Sequence, residues 1–113
     1  MKIYHNPRCR KSRETLAILH KNNVNINIIE YLKKPLEKAD IKNIINMLGI
    51  SAFDLIRKDE KVFKEKYKGR HFSEEEWISI LCQHPILMQR PIVIKDSVAI
   101  IGRPPINVLA LLK

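Results

Sequence analysis

A single thiol, Cys9, stands among four cations in the stretch His5-Asn6-Pro7-Arg8-Cys9-Arg10-Lys11-Ser12-Arg13. Cysteine is the only strong nucleophile in that stretch, and its reactive form is the thiolate. A short strand pattern (Ile3, Tyr4) precedes it, and a helical pattern follows from Glu14 to Lys21. Cys9 is therefore expected where a strand turns into a helix. Unpaired amides and the macrodipole at a helix start favour negative charge, both on a thiolate and on a bound anion. Arg8, Arg10, Lys11 and Arg13 are expected to push the same way. A lone cysteine is usually a small buried hydrophobe, but such residues do not normally follow an Asn-Pro turn signal among four cations. The chemistry this stretch suggests is a reactive thiolate facing an oxyanion.

Three more arginines stand near the boundaries of expected elements, where loops bring side chains to a common site. Arg103 is wedged between Gly102 and Pro104-Pro105 in an otherwise apolar stretch, and Arg90 directly precedes Pro91 at a strand start. Arg57, in Arg57-Lys58-Asp59-Glu60, also fits an exposed turn. Any one of them could be a surface residue with its stem laid on apolar neighbours. A guanidinium fork suits a tetrahedral oxyanion better than an ammonium does. Arg90-Pro91 is a candidate for a cis peptide bond.

The elements that must position these residues follow from periodicity. Residues 1–5 read as a strand and 10–22 as a helix with Leu16 and Leu19 inward, stopped at Asn22-Asn23. Val24, Ile26 and Ile28 alternate with asparagines as a strand. Pro35 is expected in the first turn of the next helix. That helix carries Ile41, Ile44, Ile45 and Leu48 at helical spacing and closes at Gly49. Ser51 to Asp54 and Ser73 to Glu76 have capping-box spacing. Val62, Phe63 and Tyr67 mark one side of a charged helix ending at Gly69. Trp77, Ile80 and Leu81 mark the next, ended by His84-Pro85, with Cys82 assigned to its apolar side. Ile92 to Ile94 and Val98 to Ile101 form a hairpin about Asp96-Ser97, and an apolar helix runs from Ile106 to Leu112. A βαβ unit and a ββα unit sharing a four-stranded mixed sheet, with flanking helices, is the thioredoxin-like α/β arrangement. Residues 1–113 are expected to be one domain, with a helical insertion over about 51–85.

Composition bounds the class. The chain has 113 residues, 45% apolar and 29% charged, the balance of an ordinary soluble domain. No apolar run approaches the roughly 20 residues that span a bilayer, and the N-terminus does not read as a signal peptide. A cytoplasmic location is expected, where Cys9 and Cys82 would stay reduced. The net charge is +9. The basic groups are mostly interspersed with acids, and the dense cluster at Arg8 to Arg13 has no interleaved aromatics to stack bases. An anionic small substrate accounts for this excess with fewer assumptions than nucleic acid.

The chain resembles the arsenate reductases coupled to glutathione and glutaredoxin, the ArsC-like proteins, over essentially its whole length. The landmarks are His5-Asn6-Pro7-x-Cys9-x-x-Ser12-Arg13 with Thr15-Leu16, then Leu55-Ile56-Arg57-Lys58, then His84-Pro85-Ile86-Leu87 leading to Arg90-Pro91-Ile92, and finally Gly102-Arg103-Pro104. The resemblance implies that Cys9 attacks arsenate or a similar oxyanion, and that Arg57, Arg90 and Arg103 hold and neutralise it. It implies that His5 supports the thiolate, although a packing role fits His5 equally. Ser12 could donate a hydrogen bond to the Cys9 sulfur, and Arg13 is grouped with these as substrate-binding. The chain departs from the resemblance at Arg10-Lys11, where two long cations replace small residues.

The resemblance also implies partners. No metal or bound cofactor is expected; glutathione is the co-substrate. Ser12 stands where a second cysteine of Cys-x-x-Cys would be, so a glutaredoxin must regenerate the thiol. The chain is expected to act as a monomer without membrane attachment. Two rivals share the fold: a thiol oxidoreductase indifferent to arsenate, and a redox regulator of the Spx type.

Overall fold

Ile92, Val93 and Ile94 are all buried, as a β-branched run must be when it forms an inner strand of a sheet. The computed structural model describes residues 1–112. Four strands are present: β1 (Lys2–Tyr4), β2 (Asn27–Ile29), β3 (Ile92–Lys95) and β4 (Val98–Ile101). Their order is β2-β1-β3-β4. β1 runs parallel to β2 and antiparallel to β3, with Ile3 opposite both Ile28 and Val93, and β3 runs antiparallel to β4. This is the expected thioredoxin-like sheet. Asp96, at a positive φ of 56°, turns the β3–β4 hairpin.

The chain forms two compact units, Met1–Lys34 with the chain from Arg90 onward, and Pro35–Gln89. In the first, α1 (Arg10–Lys21) and a 3-10 helix (Pro105–Leu112) pack together. Leu19, Val108 and Leu111 meet Ile3 and Val93 in one core, with Leu16 partly buried against it. Asn23, at φ 58°, takes the left-handed turn that ends α1. The strand expected from Val24 to near Glu30 is shorter. Parallel pairing with a three-residue β1 limits the ladder to Asn27–Ile29. Val24 and Ile26 pack on the core ahead of it, and Ile28 lies 42% exposed on the edge strand.

The second unit holds α2 (Lys38–Leu48), α3 (Lys61–Lys66) and α4 (Glu74–Gln83), with single 3-10 turns at Phe53–Leu55 and Pro85–Leu87. It therefore takes in α2 as well as the stretch 51–85. Pro35 is not in the first turn of α2. The helix starts at Lys38, where the Glu37 amide donates to the Asp40 carboxylate at 3.0 Å, so Pro35 lies two residues before the cap. Ile41, Ile44 and Ile45 are buried, and α2 packs on α4. Ser73 and Glu76 cap α4 reciprocally, at 3.2 and 2.9 Å. Phe53, Phe63, Phe72 and Tyr67 surround Trp77 with ring centroids 4.8 to 6.4 Å apart. Cys82 is half-buried on α4 rather than enclosed in its core. No helix among the described residues is long and apolar enough to cross a membrane.

Candidate active site

Cys9 is the N-cap of α1, in extended conformation (φ −90°, ψ 120°). The loop that holds it is built by Asn6, which is 4% exposed. The Asn6 carbonyl accepts the Cys9 amide at 3.0 Å, and its side-chain oxygen accepts the Arg8 amide at 3.0 Å. The second contact is the local turn for which asparagine is suited. The Asn6 amide in turn donates to Ser12 Oγ at 3.1 Å, and the His5 amide donates to the Ile29 carbonyl at the end of β2. The thiol loop is thereby fixed to both β2 and α1.

Ser12 is fully buried, and its hydroxyl is not available to the sulfur. It lies 2.6 Å from His5 Nδ1 while accepting from Asn6. Ser12 acts on Cys9 instead through its backbone amide, three residues into the helix. The sulfur closes no full cap hydrogen bond, so that amide is a weak donor whose effect is electrostatic. His5 is buried too. Burial lowers its imidazole below the ordinary value, against the pull of Glu30, with Arg13 lowering it further. A neutral His5 anchors the loop through Ser12 and carries no charge to the thiolate.

Arg90 and Arg103 come to Cys9. Arg103 Nη2 lies 3.5 Å from Sγ, and Arg103 Nε donates to the Arg90 carbonyl at 2.8 Å. Arg90 is 8% exposed and acts on the sulfur by both a hydrogen bond and its charge. The Cys9 thiol ionises below its ordinary value. Burial, the largest influence, pushes it up; the Ser12 amide, Arg90 and the Arg103 charge together outweigh burial.

The neighbouring cations do not act this way. Arg10 pairs with Glu14 at 2.8 Å on the exposed face of α1. Arg8 and Lys11 are exposed. Arg13 is exposed and donates to the Pro7 carbonyl at 2.9 Å, bracing the loop. Charge at the sulfur comes from residues 90 and 103, because long side chains beside the thiol in sequence project to solvent. Arg57 belongs to the second unit. Its amide donates to the Leu87 carbonyl, and its guanidinium lies 3.6 Å from both Asp59 and Glu60. Its Nη1 is buried with no hydrogen-bond partner among the described residues.

Two features of this site carry no clear signal in the sequence. Asn6 stands there only as part of a turn signal, whereas its buried side chain and backbone organise the loop. Thr15 is fully buried, donates to the Lys11 carbonyl at 2.8 Å and reaches the Gly102 carbonyl at 3.4 Å. A Cβ on Gly102 would meet Thr15 Oγ1 at 2.5 Å and Pro91 Cγ at 2.8 Å. Glycine is required there by close approach, and nothing local in the sequence signals it. Arg90-Pro91 is cis, and so is Arg103-Pro104. Among the described residues no cluster of His, Cys, Asp and Glu is arranged to hold a metal.

A single-cysteine thiol site on a thioredoxin-like sheet, faced by arginines from the loops around β3 and β4, defines the class. The ArsC family model matches residues 4–111, and the chain belongs to that family. It is 44% identical over 96% of its length to the uncharacterized protein YfgD of Escherichia coli (strain K12), covering 93% of that protein. It is 39% identical to a protein named arsenate reductase of Haemophilus influenzae, covering 97% of each chain. The solved structure of an arsenate reductase from Vibrio cholerae superposes with a TM-score of 0.92 at 36% identity, again over 97% of each chain.

Proposed function

We propose that this protein reduces arsenate to arsenite through a covalent adduct on Cys9, with glutathione and a glutaredoxin as reductants. The convergence of Arg90 and Arg103 on a thiol of depressed pKa carries the reading, and relatives named arsenate reductase support the choice of oxyanion. The Cys9 thiolate attacks arsenic(V), and an arsenate oxygen leaves as water after protonation. Guanidinium groups offset the negative charge that gathers on the oxygens.

Glutathione thiolate then attacks the Cys9 sulfur. The sulfur–arsenic bond breaks with its electron pair staying on arsenic, which leaves as arsenic(III). Cys9 and glutathione, each oxidised by one electron, are joined as a mixed disulfide. Ser12 offers no second thiol in the loop, so a glutaredoxin removes the glutathione by exchange. The decisive assay is arsenate-dependent oxidation of reductant with glutathione and glutaredoxin supplied. Activity in the wild type and none in a folded Cys9→Ser variant is expected. Turnover retained by Cys9→Ser removes the mechanism. A Cys9–glutathione adduct that forms in a protein indifferent to arsenate would make it a thiol oxidoreductase of another substrate.

A further inference from the structure

The net charge of +9 is not spread over the chain. Residues 1–34 and 90–113 contain twelve of the 21 basic and three of the twelve acidic residues, whereas Pro35–Gln89 contains nine of each. The whole excess falls on the unit that bears Cys9. Four of those cations flank the thiol in sequence without acting on it, and two of the four, Arg8 and Lys11, have side chains with no hydrogen bond or ion pair among the described residues. Such groups have no internal partner to give up and are available to an external one.

A groove of about 430 Å³ opens beside the thiol loop, lined in part by Pro7, Arg8, Glu30, Leu32 and Lys33. Leu32 is 37% exposed. Lys33 meets Glu30 at 3.3 Å, with the Lys33 side chain 78% exposed, an ion pair that solvent screens and an incoming carboxylate can displace. The groove thus joins Pro7 and Leu32 with two cations, one on the loop that presents the sulfur and one in the segment after β2.

We propose that this surface, with Arg8 and Lys33 along the groove and Lys11 in the first turn of α1, docks an acidic thiol–disulfide exchange protein onto the Cys9 mixed disulfide. The proposal rests on the reductase reading for its need of such a partner. In the exchange, the partner's thiolate attacks the glutathionyl sulfur, the bond to Cys9 breaks, and Cys9 leaves as a thiolate whose charge Arg90 and Arg103 already accommodate. The glutathione is carried away in a new mixed disulfide on the partner, which a second glutathione reduces. A nucleic acid fits less well, since among the described residues the groove's lining holds no Phe, Tyr or Trp on which a base could stack, and its His5 is buried.

The test starts from Cys9–glutathione made chemically with oxidised glutathione, so it does not depend on arsenate turnover. The second-order rate of glutathione removal is measured with an acidic glutaredoxin and with uncharged dithiothreitol, for wild type and for Arg8→Gln/Lys11→Gln/Lys33→Gln. Electrostatic steering of this kind is worth 10-fold or more, so the triple variant is expected to lose roughly tenfold with glutaredoxin and less than twofold with dithiothreitol. The wild-type glutaredoxin rate should also fall with added salt more steeply than the variant's. Lys21→Glu, at the far end of α1, should change neither rate appreciably. Equal losses with both reductants, or no loss with either, overturn the proposal. So does salt-sensitive binding to duplex DNA that the triple variant abolishes while glutaredoxin exchange is unaffected. Absence of arsenate reduction would count against the reductase reading alone, since the exchange is measured without arsenate.

Discussion

Arg103 Nη2 lies 3.5 Å from the Cys9 sulfur across 94 residues of chain, and the same guanidinium is held by the Arg90 carbonyl through Nε. One side chain therefore both charges the site and ties the loop before β3 to the loop after β4. The arrangement explains why the arginines that matter to the thiol are remote in sequence. A guanidinium clamped by a carbonyl is fixed before the anion arrives, which is what electrostatic stabilisation requires.

Alkylation of Cys9 by iodoacetamide should follow this charge. The rate is expected to rise with pH and level off below the range of an ordinary thiol, because only the thiolate reacts. Removing a cation disfavours the anion, so Arg103→Ala should move the inflection to higher pH. Arg10→Ala, which loses an exposed pair with Glu14, should move it much less. Equal shifts for the two variants would return the charge to the local cluster.

Arg103→Ala and Arg90→Ala should each lower kcat for arsenate reduction by about 10²-fold, the scale on which single oxyanion donors act. Steady-state kinetics with glutathione and glutaredoxin in excess provide the check. Unchanged kcat for both would refute the clamp.

Ser12→Ala would leave the Asn6 amide and the His5 ring buried without their shared partner. A loss of about 1–3 kcal/mol is expected for such orphaned groups, readable as a lower urea midpoint. Acidification should act on the same network. The folded His5 has its pKa depressed from 6.5, chiefly by burial, so it binds protons less readily than in the unfolded chain. Stability is then full above pH 6.5 and falls as pH drops through the folded value. His84, also lowered by burial, adds to the same slope. The slope should be shallower in His5→Asn, and an identical slope would clear His5.

Gly102→Ala should destabilise by about 1–3 kcal/mol, as overpacking does, since its new methyl meets Thr15 and Pro91. With Thr15→Ala in the same chain, the nearest of those contacts is gone. The double variant should lose less than the two singles added together, as measured by thermal or urea unfolding. Strict additivity would mean that the backbone moves aside instead.

Cys82→Ser should leave most arsenate reduction intact, and Cys82 should alkylate more slowly than Cys9 at pH 7. Burial, the main influence, raises the Cys82 thiol, with Lys38 pulling it down and Asp40 pushing it up. Peptide mapping after brief alkylation would show which thiol reacted. A folded Cys82→Ser variant without turnover would make Cys82 the resolving thiol.

The sequence by itself determined most of the elements and the place of Cys9 between the first strand and the first helix. Helical spacing of Ile41, Ile44 and Ile45, the Ser73–Glu76 cap and the buried run at Ile92 are local signals, and each produced the element that its period requires. Cys9 at a strand-to-helix junction is local in the same sense. Tertiary structure decided what those elements bring together. It left Arg8, Arg10 and Lys11 in solvent, although adjacency in sequence had joined them to the thiol, and brought Arg90 and Arg103 to it in their place. It turned the Ser12 hydroxyl toward His5 and Asn6 instead of the sulfur, and packed Gly102 against Thr15. The reason is physical: hydrogen-bond periodicity acts over a few residues, while the direction of a long side chain and the approach of two backbones depend on how the sheet brings distant loops together.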